Sequence, residues 1–132
     1  MEASEAALVR HGAVADFIVS PLGKRFARAA KEKKLMREQP FVLFVPASEI
    51  REDYPADEEI LVQGIIDAFF YEGDEIVLVD YKTDRVESAE ELIARYKVQL
   101  DSYEEALTRV TGKRVREKLI WSFALGEAIA CP

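Results

Sequence analysis

The chain has 132 residues and a formal net charge of -7, from 18 Lys and Arg against 25 Asp and Glu, which is the size of one acidic domain and excludes two. With 49% hydrophobic residues, five Pro and six Gly it has a core to pack and lacks the bias of a disordered or low-complexity chain. The negative charge excludes a stand-alone module that holds nucleic acid mainly by a positive field, and the solitary Cys131 excludes a disulfide framework, a cysteine zinc site and an iron-sulfur cluster held by this chain alone.

From Glu2 to about Val19 the spacing of Leu8, His11, Ala15 and Ile18 predicts a helix, closed by Ser20 and Pro21. Pro21 suits the first position of a second helix over about Leu22 to Leu35, with Phe26 and Ala30 on one side and Lys31, Lys33 and Lys34 in its last turns, where cations suit the helix dipole. Phe41 to Val45, bounded by Pro40 and Pro46, reads as a strand starting near Glu38, and the acidic stretch Ala47 to Glu59 as a loop. Leu61 to Asp84 holds two β-rich runs around Gly73-Asp74 and reads as a hairpin. Ser88 followed by Glu91 is a capping box, opening the longest helix, whose apolar stripe is Leu92, Tyr96, Leu100, Tyr103, Leu107 and Val110, up to Gly112. Lys118 to Leu125 is a further strand, in which Trp121 and Phe123 read as core, and Ala128 to Cys131 a short edge strand. No apolar run reaches the roughly 20 residues of a membrane span, so no membrane partner is expected and a reducing, cytoplasmic setting fits.

The hairpin brings chemistry together. If Gly73 and Asp74 are the two central turn residues, Glu72 pairs with Glu75, and counting outward sets Asp67 opposite Asp80 on one face. Lys82, two residues on, shares that face by the period of a strand. Ile65, Phe69, Tyr71, Ile76 and Leu78 fall on the same face, and Ile66, Phe70, Val77, Val79 and Tyr81 on the other, so the strands are apolar on both sides. Two like charges opposed in such surroundings need compensation. Either a hard divalent cation, Mg2+ or Mn2+, sits between them with Lys82 poised over a phosphate, or Lys82 neutralises one acid in a structural pair.

The ordered set Gly64, Asp67, Asp80-Tyr81-Lys82-Thr83, then Gln99 with Tyr103 four residues later, resembles the RecB-type branch of the PD-(D/E)XK nucleases. Arg37, Glu38, Pro40 and Phe41, the run Gln63 to Asp67 and the run Val79 to Val86 resemble, more narrowly, the C-terminal nuclease domain of AddAB-type bacterial helicase-nucleases. The resemblance implies an α/β restriction-endonuclease-like core, a central mixed β-sheet flanked by α-helices, with residues 1–36 as N-terminal helices and 37–132 as the catalytic core of one domain. It implies Asp67, Asp80 and the Tyr81 carbonyl as metal ligands and Lys82 as the catalytic lysine. Gln99 and Tyr103 would match the family's QxxxY motif in a supporting, DNA-proximal role; Tyr103 also fits as core and Gln99 as a buried amide. Glu38 would match the acid at the start of the first strand, with a surface ion pair as the alternative.

The activity implied is Mg2+- or Mn2+-dependent hydrolysis of DNA phosphodiesters in double-strand break repair. The implied partners are single strands of DNA delivered by a helicase body in the same longer chain, and an AddB-like subunit. The family's upstream Gly-Thr-x-x-His motif is not in this chain, whose only histidine, His11, lies on an apolar helical stripe. The sequence reads as a domain excised from the C-terminus of a larger helicase-nuclease. A catalytically silent domain docking a helicase or partner subunit is the alternative.

Overall fold

The structure is a computed structural model in which residues 11–132 are described. Helix α1 (His11–Val19) runs into α2 (Pro21–Lys31) through Ser20, whose Oγ accepts the Gly23 N–H at 2.9 Å while Pro21 takes the first helical position. The part of the first helix expected before His11, Leu8 included, lies outside the described residues. The second helix stops four residues short of the expected Leu35. Lys33 adopts φ 61°, its N–H bonding Ala30 O and that of Lys34 bonding Ala29 O, a Schellman closure made with lysine in place of the usual glycine. Leu22, Phe26 and Ala29 form the buried stripe of α2, and Ala30 is exposed.

Five strands follow: β1 (Leu35–Pro46), β2 (Glu59–Glu72), β3 (Glu75–Lys82), β4 (Val115–Ser122) and β5 (Glu127–Cys131), in one sheet of order β1-β2-β3-β4-β5. Neighbours are antiparallel except β3 and β4, which are parallel and joined by helix α4 (Ala89–Thr111), as a parallel pair requires. The chain is thus an α/β domain with a mixed sheet flanked by helices. β1 and β2 are longer than their apolar runs suggest, because each supplies the other's hydrogen bonds from Leu35↔Phe70 to Pro46↔Glu59. Within the expected loop, Ala47–Ile50 forms a helical turn, α3. β4 lies three residues upstream of the expected strand: its pairing with β3 begins at Val115, and after Ser122 the chain turns, with Gly126 N bonding Ser122 O. Helix α4 opens as the capping box predicts, Ser88 Oγ accepting the Glu91 N–H, and closes at Gly112, φ 69°. Val110 is exposed, not part of the core.

The sheet is covered on both faces. Under α4, against its Leu100 and Tyr103, lie Phe41, Leu43, Ile66, Phe69, Ile76, Leu78 and Ile120; under α2 lie Ala68, Phe70, Val77, Val79, Leu119 and Trp121. The like charges Glu72 and Glu75 flanking the hairpin turn are each given an arginine: Arg25 takes Glu72 through Nε at 2.9 Å and Nη2 at 2.7 Å, and Arg116 reaches both glutamates. Burying apolar side chains of this size is worth roughly 1.5–3 kcal/mol each, so the two cores and not the surface pairs hold the fold together.

α1 meets α2 at a close approach and meets the sheet through the Phe17 ring. A Cβ on Gly23 would stand 2.0 Å from Phe17 O and 2.8 Å from Ile18 O, backbone atoms that cannot give way without moving α1. Phe17 in turn packs edge-on against Trp121 at 5.1 Å and Tyr81 at 5.8 Å. Gly23→Ala is therefore expected to lower stability by about 1–3 kcal/mol, as overpacking does. The midpoint of urea unfolding should fall, and emission from Trp121, the sole tryptophan, should shift in the native state as Phe17 leaves it. A native spectrum unchanged by the substitution would show that α1 is not anchored this way.

Candidate active site

The hairpin register is the one the turn predicts, from Glu72↔Glu75 to Ala68↔Val79, with Gly73 at φ 62° in the first central position. There the ladder stops. Asp67 and Asp80 occupy the next opposed positions but do not pair through their backbones; the Tyr81 N–H donates instead to Asp67 Oδ2 at 2.9 Å. The opening has a cause in β1. Opposite Asp67 stands Glu38 at φ 49°, and these two residues are the gap in an otherwise continuous β1–β2 register.

Side-chain alternation reverses across that gap. Phe41, Leu43 and Val45 lie under α4 whereas Leu35 packs on the α2 side; likewise Ile66 lies under α4 but Ala68 and Phe70 face α2. The strict alternation expected of β2 fails here in a definite way. Ile65, expected beside the acids, is exposed on the face away from α4, and Ile66, expected on the far face, is buried beneath α4. In β3 the alternation is unbroken, so Ile76, Leu78, Asp80 and Lys82 share the α4 side.

Asp80 is 2% exposed, on a strand whose preceding four residues are fully buried. Its Oδ2 lies 2.9 Å from Lys82 Nζ, an ion-pair distance outside hydrogen-bonding angles, and has no hydrogen-bond partner. Burial drives the Asp80 carboxyl up to about 7; Lys82 opposes that shift and the neighbouring Asp67 adds to it. Lys82 is held from three sides. Besides Asp80, its Nζ donates to Gln99 Oε1 at 3.1 Å and lies 4.0 Å from the centre of the Tyr96 ring. Gln99 therefore acts as an amide tying α4 to the lysine.

Tyr103, one helical turn on, is buried edge-on against Phe41 at 5.2 Å. A Cβ at Gly64 would sit 3.0 Å from the Phe41 ring and 3.8 Å from that of Tyr103, so the glycine leaves room for this stack. Burial first, then the charges of Asp80 and Asp67, push the Tyr103 phenol up to about 12. The structure thus brings together Asp67, Asp80, Lys82, Gln99 and Tyr103. Glu38 is exposed at the bend opposite Asp67, and among the described residues no three His, Cys, Asp or Glu side chains converge. Two residues of the cluster were not singled out from sequence, Tyr96 and Asp84, whose carboxylate accepts the Tyr96 hydroxyl at 2.7 Å. The signal was there: Tyr96 precedes Gln99 by three residues, one turn of the same helical face.

A mixed sheet with three antiparallel strands, a crossover helix and a parallel fourth strand, carrying two acids and a lysine where the hairpin opens, is compatible with a restriction-endonuclease-like core. Comparison with known proteins narrows this to particular relatives. The chain is 42% identical over 131 residues to the AddA subunit of the ATP-dependent helicase/nuclease of Syntrophomonas wolfei, an alignment covering 98% of this chain and 10% of the relative. It is 45% identical over 117 residues to the protein of the same name from Clostridium botulinum (strain Loch Maree / Type A3), and 44% over 118 to that of Clostridium acetobutylicum, with 86% of this chain and 9% of the relative aligned in each case. The chain is therefore homologous to a segment of the AddA helicase/nuclease proteins, and spans about a tenth of their length. No family model matches it.

The raised Asp80 carboxyl makes stability depend on pH in the metal-free protein. Between its unfolded value near 3.8 and its folded value near 7, the folded state holds a proton that the unfolded state has lost, so stability falls as pH rises through that window. Asp84 and Asp101, held below their ordinary values, contribute the opposite slope, but below pH 4. Urea unfolding of the metal-free chain is thus expected to show declining stability from about pH 4.5 to 7.5, and Asp80→Asn is expected to remove that decline. A parallel decline in the variant would place the slope elsewhere.

Proposed function

We propose that the chain is a metal-dependent deoxyribonuclease domain that hydrolyses DNA phosphodiesters as part of a longer helicase-nuclease acting in double-strand break repair. One observation carries the reading: a carboxylate buried to 2% exposure on a central strand stands beside a second carboxylate and 2.9 Å from a lysine. A fold gains nothing from this arrangement, whereas phosphoryl chemistry uses each part of it. The relatives carry helicase/nuclease in their names, which accords with that chemistry.

The donor set suits a hard divalent cation, Mg2+ or Mn2+. All available ligands are oxygens: the carboxylates of Asp67 and Asp80 and the Tyr81 carbonyl, with water and phosphate oxygens to complete the shell, which is how Mg2+ is ordinarily held by protein. When bound, the ion supplies Lewis acidity toward a phosphoryl oxygen and a coordinated water. The chain's own residues do the rest. Asp67 and Asp80 fix the charge between β2 and β3, and burial of Asp80 keeps bulk water from screening it. Lys82 sets an ammonium against the negative charge that develops on the phosphorane-like transition state. Gln99 orients that ammonium, and Tyr103 forms part of the wall behind the acids.

The partners in this reading are single-stranded DNA, a helicase body in the same longer chain and an AddB-like subunit, in a bacterial cytoplasm. A structural ion pair is the competing reading, favoured by Lys82 standing 2.9 Å from Asp80.

Two measurements separate them. Millimolar Mg2+ or Mn2+ is expected to raise the melting temperature of the chain, by preferential binding to the folded state, and Asp67→Ala or Asp80→Ala should abolish the rise. Cleavage of single-stranded DNA in Mg2+ should fall about 10²–10³-fold in Lys82→Ala while the metal-induced stabilisation persists, since the lysine acts on the transition state. A melting temperature indifferent to metal, together with no cleavage by the wild type, would return the cluster to a structural pair.

A further inference from the structure

We propose that Tyr96 is the positioning residue for Lys82: its ring is the seat on which the ammonium rests, and its hydroxyl, fastened to Asp84, fixes where that seat lies. The catalytic consequence of this inference rests on the nuclease reading; its geometric content does not. The Lys82 Nζ lies 4.0 Å from the ring centre, well inside the roughly 6 Å range of a cation–π contact. The ring itself is anchored at its far end. Its hydroxyl donates to Asp84 Oδ2 at 2.7 Å, and the same oxygen accepts Arg95 Nη1 at 3.0 Å. Arg95 is held in turn by Glu91 at 2.8 Å, one turn back on α4. Asp84 follows Lys82 by two residues, so this network fastens the segment leaving β3 to the helix that carries the ring. Burial, with the Asp84 hydrogen bond second, pushes the phenol up to about 12, so the hydroxyl remains a donor throughout any working pH.

The three restraints on Lys82 differ in kind. Gln99 holds it through a particular N–H direction, which a phosphate entering the site must recruit for itself, and Asp80 holds it by charge at 2.9 Å. A π face attracts the ammonium without fixing where its protons point. The ring therefore keeps Nζ in place while its donors turn toward substrate, and a four-carbon side chain does not have to be re-ordered at that moment. Position and orientation are supplied by separate groups.

The test uses the 132-residue chain with Tyr96→Phe and Tyr96→Leu. The first keeps the ring and cuts its tether; the second removes the ring. Side-chain NMR of Lys82 is expected to show its ε protons shifted upfield by the ring current in the wild type and in Tyr96→Phe, and the shift lost in Tyr96→Leu. Cleavage of single-stranded DNA in Mg2+ is expected to lose about 5- to 30-fold in kcat in Tyr96→Leu with KM changed little, and Tyr96→Phe to recover most of that loss. Unshifted ε protons in the wild type overturn the proposal whether or not the variants fold. So does wild-type kcat in Tyr96→Leu when Lys82→Ala is inactive. A wild type that neither cleaves nor gains melting temperature in Mg2+, while its Lys82 resonance shows the ring, overturns the nuclease reading and upholds the seat.

Discussion

Asp80 sits where a folding chain would put valine. The residues before it on β3, Ile76 to Val79, are completely buried, and it continues their run in the middle of a five-stranded sheet. An isolated carboxylate in such a place costs several kcal/mol, and the chain offsets that cost with the nearest means available, a lysine two residues on that strand geometry brings to the same face. The rest of the cluster follows from this one placement. Lys82 has to be held against Asp80, which needs α4 across the strand ends with Gln99 and Tyr96 facing inward; Asp84 and Arg95 then hold Tyr96. Asp67 worsens the electrostatics, and its presence is the part that stability does not explain.

That second carboxylate meets Asp80 at the point where two strands change hands. With β2 in strict alternation and fully paired to β3, Asp67 would sit within a closed ladder. Instead Glu38 takes up φ 49°, the Glu38–Asp67 pair drops out of the register, and the side chains of β1 and β2 exchange faces. Asp67 then turns its carboxylate to the free Tyr81 N–H. A positive φ at a glutamate costs of order 1 kcal/mol or more, and such strain is concentrated where a structure needs a side chain aimed off the pleat. The same reversal lets the hairpin remain a strong, regular ladder on its turn side while opening on the other.

Much of this was legible in sequence, and the boundary of what was legible is physical. The turn register could be counted from Gly73-Asp74, because a two-residue turn fixes every pair beyond it, and the juxtaposition of Asp67, Asp80 and Lys82 followed. Helix α4 was equally plain, from Ser88 to Gly112, since both caps are local hydrogen-bonding motifs. What could not be read were features made by another strand. The left-handed turns at Lys33 and Glu38 carry no glycine to announce them, so the early end of α2 and the face exchange in β2 were hidden, and Ile65 and Ile66 were assigned to each other's faces. The starts of β1 and β4 were missed for a like reason: a strand extends as far as its partner offers hydrogen bonds, not as far as its own apolar run. Tyr96 was seen as a member of an apolar stripe, and only the fold shows an ammonium on its ring.

The distribution of charge bears on how the proposed site would meet its substrate. Positive side chains elsewhere on the domain are largely spent internally. Arg25 and Arg116 serve Glu72 and Glu117, Lys118 bridges Asp101 and Glu104, and Lys113 lies against Asp74. What remains is a net charge of -7, and a polyanion approaching within a Debye length, about 8–10 Å at moderate salt, meets a field that repels it. The buried acids cannot compensate, since without a cation they add to that field. A bound divalent ion reverses the sign locally but over a few ångströms only, enough to bind one phosphate and not enough to capture a strand from solution. On the proposed function, the chemistry and the capture of DNA are therefore separate tasks. On that reading the chain would perform the first, and the second would fall to a helicase body that brings a strand to Lys82 one phosphate at a time.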